Sequence, residues 1–220
     1  MSTWALVPVK RLQGAKKRLS DKLSESERSS LAGAMLTDVL NALEEANSLD
    51  GIALVTRDED AVAMAANRGH RVIPDPEAGG LNEALSHAVD TLKVSGATTI
   101  LVIHGDVPAV TGAEIDRLLA AEDQSPFVTL APALTDGGTN GMVLSPPDII
   151  PLHYGADSAA LHLGAAKQAG INTKSLELRG LGLDIDHSAD LLSFLSTQQM
   201  GNTLDYLLAS GLAKRLQEQQ

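Results

Sequence analysis

Short, continuously apolar segments alternate with segments of helical periodicity through the first 134 residues of the chain. The apolar segments cover residues 4–9, 51–56, 70–75, 98–103 and 126–134. Continuous hydrophobicity is typical of strands in a parallel sheet that is covered on both faces. The alternation therefore predicts an α/β fold with a mainly parallel sheet flanked by helices. Ligands of such sheets bind beyond the carboxyl ends of the strands.

Helical segments fill the intervals between these strands. The first opens with an S-x-x-E capping box from Ser24 to Glu27, and the others cover 58–69, 79–96 and 112–122. The sequence of the remaining third is less regular. It predicts a glycine-rich loop with a short strand at 136–147, a helix at 158–170 and a strand at 172–178. Two C-terminal helices are predicted within 188–216, with a break near Gly201. No internal repeat or linker is visible, so residues 1–220 are predicted to form a single domain.

Composition narrows the class of protein. The chain contains no cysteine, which excludes disulfides, thiolate metal sites and cysteine nucleophiles and favours a reducing cytoplasm. No apolar run approaches the roughly 18 residues that a membrane-spanning helix needs. A net charge of −11 and an aromatic content of 2% argue against nucleic-acid binding through the general surface. We therefore expect a soluble, cytoplasmic protein without nucleic-acid or membrane partners.

Positive charge is concentrated near the N-terminus, where seven of the 17 basic residues lie within the first 28 positions. Lys10, Lys16, Lys17 and Arg18 follow the first buried strand, so this loop is expected at the ligand-binding edge of the sheet. Such clusters usually face solvent, and for Lys17 and Arg18 a solvent-facing position fits the sequence as well as contact with a ligand does. Lys10 and Lys16 are the better candidates for contact with a phosphate. The loop predicts a site for a small anion.

Three aspartates can be placed near the same edge. Asp106 follows the apolar strand 98–103, and Asp184 and Asp186 lie two residues apart, which puts both side chains on one face of an extended segment. An oxygen-only set of this kind suits Mg²⁺. Each motif also has a structural alternative, because G-D-x-P is ordinary turn chemistry and acidic residues favour the start of a helix such as the one at 188.

Further polar residues accompany glycine-rich loops. The loop 136–141 has the composition of a hairpin, but its glycines also let backbone N–H groups approach an anion. Ser158 lies near a helix start, where it can cap the helix or hold an anionic ligand. His162 lies four residues later on the same helix face, and packing within the core is its alternative.

Several common catalytic motifs are missing from the chain. It has no phosphate-binding P-loop, no complete G-x-G-x-x-G fingerprint, no G-x-S-x-G nucleophile elbow and no H-E-x-x-H pair. The chemistry that remains is that of carboxylates and lysines around a phosphorylated ligand.

The order of these motifs resembles the guanylyltransferases that make the phospho-acid guanosine adduct used to build the deazaflavin coenzyme F-420. The family belongs to the nucleotidyltransferases with a glycosyltransferase-A-like fold. The resemblance runs through WALVPVKRLQGAKKRL, DPEAGGLNEAL, HGDVPAV, DGGTNGMVL, YGADSAALH and LDIDHSADL, and so covers nearly the whole chain. Within this set, PVKRL with AK-RL, GGTN, and YG-DS with its later histidine are the more specific motifs, while GD-P and D-x-D are shared by the wider superfamily.

The resemblance implies roles for these residues. Asp106, Asp184 and Asp186 would bind Mg²⁺, and Lys10 and Lys16 would contact the triphosphate of GTP, so that Asp106, Lys10 and Lys16 are the catalytic candidates. The positions implied to lie near the base and ribose are Asp75, Leu81 and Asn82. The positions implied to hold the phosphorylated acid are Thr139, Gly155 and Ser158, with His162 close by.

The resemblance leaves some alternatives open. The acid is 2-phospho-L-lactate, phosphoenolpyruvate or 3-phospho-D-glycerate in this family, and the sequence does not separate them. A cytidylyl- or uridylyltransferase of the same fold and a non-catalytic nucleotide-binding regulator are the rival functions. A homodimer is expected from the family alone, and the role of His104, just before Gly105 and Asp106, is left open.

Overall fold

Seven strands form a single mixed sheet in the computed structural model, which describes residues 2–76 and 79–217. The strands in chain order are β1 (Thr3–Pro8), β2 (Gly51–Thr56), β3 (Arg71–Pro74), β4 (Thr99–Ile103), β5 (Phe127–Pro132), β6 (Thr139–Ser145) and β7 (Asn172–Ser175). Their spatial order is β3-β2-β1-β4-β6-β5-β7, and β6 runs antiparallel to both of its neighbours. The prediction of a mainly parallel sheet flanked by helices is confirmed.

Helices cover both faces of the sheet. They are α1 (Glu25–Glu45), α2 (Glu59–Asn67), α3 (Gly80–Val94), α4 (Gly112–Leu119), α5 (Ser158–Gln168), α6 (Ser188–Thr197), α7 (Asn202–Ala209) and α8 (Leu212–Gln217). Strand β1 shows the two faces: Ala5 and Val7 pack in the same cluster as α1, while Leu6 packs with Leu85 of α3. This alternation explains why the strand had to be apolar at every position.

The predicted capping box at the start of α1 is present. The backbone N–H of Glu27 donates to Ser24 Oγ at 3.3 Å, and the backbone N–H of Ser24 donates to Glu27 Oε2 at 2.8 Å. Two backbone donors that the first helical turn leaves without partners are satisfied in this way. No helix within residues 2–76 and 79–217 is long and apolar enough to cross a membrane.

The C-terminal third differs from the sequence-based expectation in two places. The prediction of two helices in 188–216 was wrong, because a second break follows α7 at Gly211, whose φ of 71° lies in the left-handed region, and α8 begins after it. The short strand expected at 136–147 is instead a seven-residue strand, β6, in which every residue is buried. The single-domain organisation and the homodimer remain predictions.

The reversed direction of β6 brings its first residues to the edge where β4 ends. Ile103 of β4 pairs with Gly141, and the backbone N–H of His104 donates to the carbonyl of Asn140 at 3.2 Å. The chain continues from β1 to β2 on one side and from β4 to β5 on the other, so the strand order reverses between β1 and β4. Open α/β sheets bind ligands at the carboxyl edge beside such a reversal. The start of β6 therefore faces the loops that carry Lys16 and Asp106.

Candidate active site

A lysine flanked by two aspartates occupies the centre of this edge. Lys16 Nζ lies 2.6 Å from Asp106 Oδ2 and 2.8 Å from Asp186 Oδ1, and Arg18 Nη1 lies 2.8 Å from Asp186 Oδ2. Lys16 has a φ of 51°, in the left-handed region, directly before a 3-10 turn over Lys17–Leu19. That turn aims the Lys16 side chain inward, so its exposure is 10%, while the Arg18 side chain is 63% exposed.

The charges of this cluster stabilise one another. Burial alone would lower the pKa of Lys16, but the carboxylates of Asp106 and Asp186 outweigh it and raise the pKa above its ordinary value. Burial would likewise raise the pKa of Asp106, but the Lys16 ammonium and then His104 outweigh it and hold that pKa below its usual range. The pair therefore stays ionised at neutral pH.

The D-x-D segment contributes its two acids to different partners. Asp184 Oδ1 accepts a hydrogen bond of 3.1 Å from Asn140 Nδ2, whereas Asp186 pairs with Lys16 and Arg18. Between them the buried Ile185 donates its backbone N–H to the carbonyl of Asp106 at 3.0 Å, which ties the segment to the β4 loop. Burial raises the pKa of Asp184, and the charge of Asp106 adds to this effect.

Asp106, Asp184 and Asp186 line one cavity of about 650 Å³. Among the residues that the structure describes, no three His, Asp or Glu side chains are gathered closely enough to hold a metal ion. The Lys16 ammonium lies between two of the carboxylates, those of Asp106 and Asp186. Carboxylate oxygens are hard ligands of the kind that Mg²⁺ prefers, and these two already bind a positively charged group, so the residue types fit the chemistry of Mg²⁺.

The predicted acid-binding residues lie around the same cavity, which Thr139, Gly155 and Ser158 line. Ser158 Oγ donates to Thr139 Oγ1 at 3.2 Å, and Thr139 Oγ1 lies 3.1 Å from His162 Nδ1. His162 Nε2 accepts the backbone N–H of His153 at 2.9 Å. The exposures of Thr139, Ser158 and His162 are 3%, 1% and 0%, so this group is a buried wall of the cavity.

His162 is held in its neutral form. Burial, together with the nearby His153, lowers the pKa of His162 to about 4. Its ring also packs edge-on against Tyr154, with ring centroids 5.0 Å apart. Burial raises the pKa of Tyr154 as well. The part of the wall formed by Thr139, Ser158 and His162 therefore carries hydrogen-bonding groups without net charge, whereas other parts of the lining carry Arg18 and five aspartates: Asp106, Asp136, Asp184, Asp186 and Asp190.

A second, larger cavity of about 920 Å³ opens on the other side of the lysine cluster. Basic residues outnumber acidic ones in its lining, which includes Lys10, Arg11, Lys16, Lys17, Arg18 and Arg57 together with Glu25, Asp58, Asp75 and Asp186. Lys10 and Arg11 are exposed. Arg18 and Asp186 line both cavities, so two ligands bound there would meet at the cluster.

The residues predicted near the nucleotide base are distributed between the two cavities. Asp75 lines the basic cavity, and its carbonyl accepts a hydrogen bond from Arg57 Nε. Leu81 lines the smaller cavity instead. Asn82 Nδ2 donates to the carbonyl of Tyr154 at 3.0 Å, and Asn82 Oδ1 accepts the N–H of Tyr154 at 2.7 Å. Asn82 therefore fixes the loop beside Gly155, and its predicted contact with the nucleotide remains a prediction.

Sequence reasoning missed three participants in this arrangement. Asn140 links β6 to Asp184, and its signal was the T-N pair that follows the glycines of GGTN. Tyr154 lies between two histidines, with its ring centroid 5.2 Å from that of His104. Arg18, for which the sequence left a solvent-facing position open, pairs with Asp186. His104, left open by the sequence, lines the cavity beside Asp106.

Solved structures of nucleotidyl-transfer proteins share this fold. A protein of Desulfovibrio desulfuricans G20 described as a nucleotide-diphospho-sugar transferase superposes with a TM-score of 0.79 at 20% identity, over 99% of this chain and 98% of its own. A nucleotidyl transferase of Methanothermobacter thermautotrophicus superposes with a TM-score of 0.64 at 20% identity, over 88% of this chain and 95% of its own. The fold class is that of nucleotide-diphospho-sugar transferases and related nucleotidyltransferases.

Sequence comparison narrows the class to one family. The profile of the family described as "Guanylyl transferase CofC like" matches residues 3–219. A phosphoenolpyruvate guanylyltransferase of Sphaerobacter thermophilus is 39% identical over 205 residues, covering 93% of this chain and 98% of the relative. A 2-phospho-L-lactate guanylyltransferase of Methanothermobacter thermautotrophicus is 31% identical over 207 residues, covering 94% and 90%. The chain belongs to the CofC-like guanylyl transferase family.

Proposed function

We propose that the protein transfers GMP from GTP to a small phosphorylated carboxylic acid, in the biosynthesis of coenzyme F-420. The observation that carries this proposal is the meeting of two unlike cavities at the Lys16, Asp106 and Asp186 cluster. The basic cavity suits a triphosphate, and the smaller cavity suits a compact acid. Relatives named phosphoenolpyruvate guanylyltransferase and 2-phospho-L-lactate guanylyltransferase support a small phosphorylated acid as one of the two ligands.

The reaction needs no side-chain nucleophile. An oxygen of the acid's phosphate attacks the α-phosphorus of GTP, a phosphoanhydride bond forms, and the bond to the β-phosphate breaks to release pyrophosphate. The attacking oxygen is already anionic at neutral pH, so no general base is required. This accounts for a site that is built from carboxylates, lysines and hydrogen-bond donors.

The main obstacle is electrostatic, because one anion must approach another. Lys16 and Arg18 lie at the junction of the two cavities, where they can offset this repulsion and hold the reacting groups in line. Lys10, on the exposed loop, is assigned to the triphosphate. Its open position suits a ligand that enters from solvent.

Mg²⁺ is part of the proposal. Asp106, Asp184 and Asp186 are the residues that would hold it, because they line one cavity with oxygen donors. When bound, the ion would neutralise phosphate charge. Asn140 supports this set by orienting Asp184 through its 3.1 Å hydrogen bond.

The remaining assignments follow the cavities. Asp75 is proposed to lie at the nucleoside end of the basic cavity, and Leu81 is proposed to lie where the nucleotide approaches the acid. Thr139, Gly155 and Ser158 are proposed to bind the acid, since they line the smaller cavity, which Arg18 also lines.

Pyrophosphate release is the test. Purified protein is supplied with Mg²⁺ and GTP, and with 2-phospho-L-lactate, phosphoenolpyruvate or 3-phospho-D-glycerate in separate reactions. Replacing GTP by CTP, UTP or ATP tests the rival nucleotidyltransferases, and omitting the acid measures background hydrolysis. Release with GTP and one acid supports the proposal and names the substrate. GTP binding without release with any of the acids would contradict it and favour a nucleotide-binding regulator.

A further inference from the structure

The hydrogen bonds of His162 determine where its proton lies. A backbone N–H can only donate, so the 2.9 Å contact from His153 N makes His162 Nε2 an acceptor. The ring is neutral, which leaves its single proton on Nδ1. His162 Nδ1–H then donates to Thr139 Oγ1 across 3.1 Å. The tautomer therefore follows from the fold.

Because His162 donates to Thr139, it takes up neither of the two hydroxyl protons beside it. Thr139 and Ser158 are joined by one hydrogen bond of 3.2 Å, which uses one of their two hydroxyl protons. Thr139 also accepts from His162, and within the described residues these two side chains make no other side-chain hydrogen bonds. Since Ser158 donates to Thr139, the hydroxyl proton of Thr139 remains. Both hydroxyls line the smaller cavity, so that proton is available to a ligand there.

We infer that His162 is a positioning residue, whose Nδ1–H makes the Thr139 and Ser158 hydroxyl pair present one donor to an anionic oxygen of the bound acid. The identity of the ligand rests on the proposed function. His162 itself does not reach the acid, since its exposure is 0% and both ring nitrogens are engaged. It acts through Thr139.

The arrangement is stable across physiological pH. Burial and the neighbouring His153 hold the pKa of His162 near 4, so the ring stays neutral well below neutrality. A protonated ring would also lose its bond from His153, because both ring nitrogens would then be donors. Tyr154 packs edge-on against the ring and limits its rotation. The donor is therefore present before the acid binds, which is the condition for preorganised recognition.

Two substitutions separate the hydrogen bond from the volume of the side chain. His162→Leu removes both contacts, while His162→Gln retains an amide oxygen to accept from His153 and an N–H to donate to Thr139. A hydrogen bond to a charged group corresponds to about a 10- to 100-fold change in binding. His162→Leu keeps the Thr139 hydroxyl but no longer orients it, so we expect KM for the acid to rise by up to about that factor, with KM for GTP changed less than about 2-fold. His162→Gln should recover most of the loss.

The control for these kinetics is His87→Gln, on the exposed surface of α3, which should leave both KM values unchanged. Thermal unfolding confirms that each variant is folded at the assay temperature. Equal increases in the two KM values, or no increase for the acid, would overturn the inference. So would a His162→Gln variant as impaired as His162→Leu, because the hydrogen bond would then not be the relevant property.

A spectroscopic measurement tests the same inference without turnover. The ¹⁵N shifts of the His162 ring in the ligand-free protein should show the Nδ1–H tautomer from about pH 5.5 to 8, as the low pKa requires. The Nε2–H tautomer would overturn the inference. Absence of pyrophosphate release by the unmodified protein would contradict the proposed function alone, and the tautomer would still decide the role of His162.

Competition experiments identify which oxygen of the acid accepts the hydrogen bond. Pyruvate presents a carboxylate and inorganic phosphate presents phosphoryl oxygens, and each is titrated as an inhibitor against the acid. An inhibition constant that rises in His162→Leu for pyruvate assigns the donor to the carboxylate, and one that rises for phosphate assigns it to the phosphoryl group. Constants unchanged for both would overturn the inference.

Discussion

The two cavities that meet at Asp186 offer a ligand different surroundings. Around the smaller cavity, Thr139, Ser158 and His162 are at most 3% exposed and are already hydrogen-bonded to one another. Around the larger cavity, Lys10 and Arg11 are exposed on a loop that follows β1. One wall is neutral and preset before binding, and the other is charged and open to solvent.

This difference teaches where selectivity can arise. A preset hydrogen-bond arrangement discriminates through single atoms, because a mismatch leaves a buried donor or acceptor without a partner. A set of exposed charges attracts any polyphosphate and is screened by salt. We therefore expect the choice of acid to be sensitive to single substitutions. The KM for GTP should rise only by a small factor for each basic residue that is removed.

The largest effect is expected at the junction of the two cavities, where one substitution should impair the use of both substrates equally. Asp106→Asn removes the carboxylate nearest to Lys16 and one proposed Mg²⁺ donor, and it changes little volume. A loss of several kcal/mol in transition-state stabilisation corresponds to about a 10³-fold decrease in kcat/KM. We expect this decrease with GTP and with the acid as the varied substrate, measured by pyrophosphate release.

Asp148→Asn is the matched control for that variant, because Asp148 forms an ion pair with Lys93 outside both cavities. It should retain full activity, and both variants should show the circular dichroism of the unmodified protein. Wild-type turnover in Asp106→Asn would remove Asp106 from the catalytic group.

Lys16 and Lys17 offer a sharper test within one loop, with the next largest effect. Lys16 is buried between two carboxylates, whereas its neighbour Lys17 is exposed. Lys16→Met should lower kcat by about 10²-fold, as expected for a charge that stabilises the transition state. Lys17→Met should lower kcat/KM by no more than about 3-fold. Similar losses in both variants would mean that the loop acts by its total charge rather than through Lys16.

That contrast also shows how far the sequence could predict the site. The convergence of Lys16 and Asp106 followed from one physical rule, since both were expected at the carboxyl edge of the sheet, whereas Asp186 was joined to them by the D-x-D spacing and the family resemblance. The bridging position of Lys16 depends on its left-handed φ of 51°, which no local pattern announces. The structure places the three residues together and shows ion pairs among them that the sequence did not predict.

The role of Asn140 could not be read from the sequence for a different reason. Its position depends on β6 running antiparallel between β4 and β5, and strand direction in a mixed sheet is decided by tertiary packing. The same reversal places Thr139 beside His162 and Ser158. Charged residues on loops were therefore accessible to sequence reasoning, while the neutral hydrogen-bonded wall required the fold.

An intermediate effect should separate the two cavities. Ser158→Ala removes the hydroxyl that donates to Thr139 and helps to orient it, and it should raise KM for the acid by about 10-fold, the lower end of the range for one hydrogen bond to a charged group. KM for GTP should stay within about 2-fold. Steady-state kinetics with each substrate varied at saturating levels of the other measures both. Equal increases would show that the acid cavity has been misplaced.

A smaller effect is expected on the open side. Lys10→Ala should raise KM for GTP by about 3- to 5-fold, because an exposed charge contributes up to about 1 kcal/mol. The difference from the unmodified protein should shrink as the ionic strength rises from about 0.05 M to 0.5 M. KM for the acid should not change. A difference independent of salt would indicate a structural role for Lys10 and break the contrast between the cavities.

The smallest effect concerns stability, and its sign follows from the ion pair at the junction. The folded pKa of Asp106 lies below its ordinary value of 3.8, so the unfolded chain binds more protons between these two values. Its stabilising contribution is complete above pH 3.8 and is lost as the pH falls through the folded pKa. The free energy of unfolding should therefore fall more steeply with acid in the unmodified protein than in Asp106→Asn, by at most about 1.4 kcal/mol per pH unit. Urea denaturation between about pH 2.5 and 6 measures both slopes. Parallel slopes would show that the folded protein does not stabilise the Asp106 carboxylate, and the junction would then lack the charge pairing that links the two cavities.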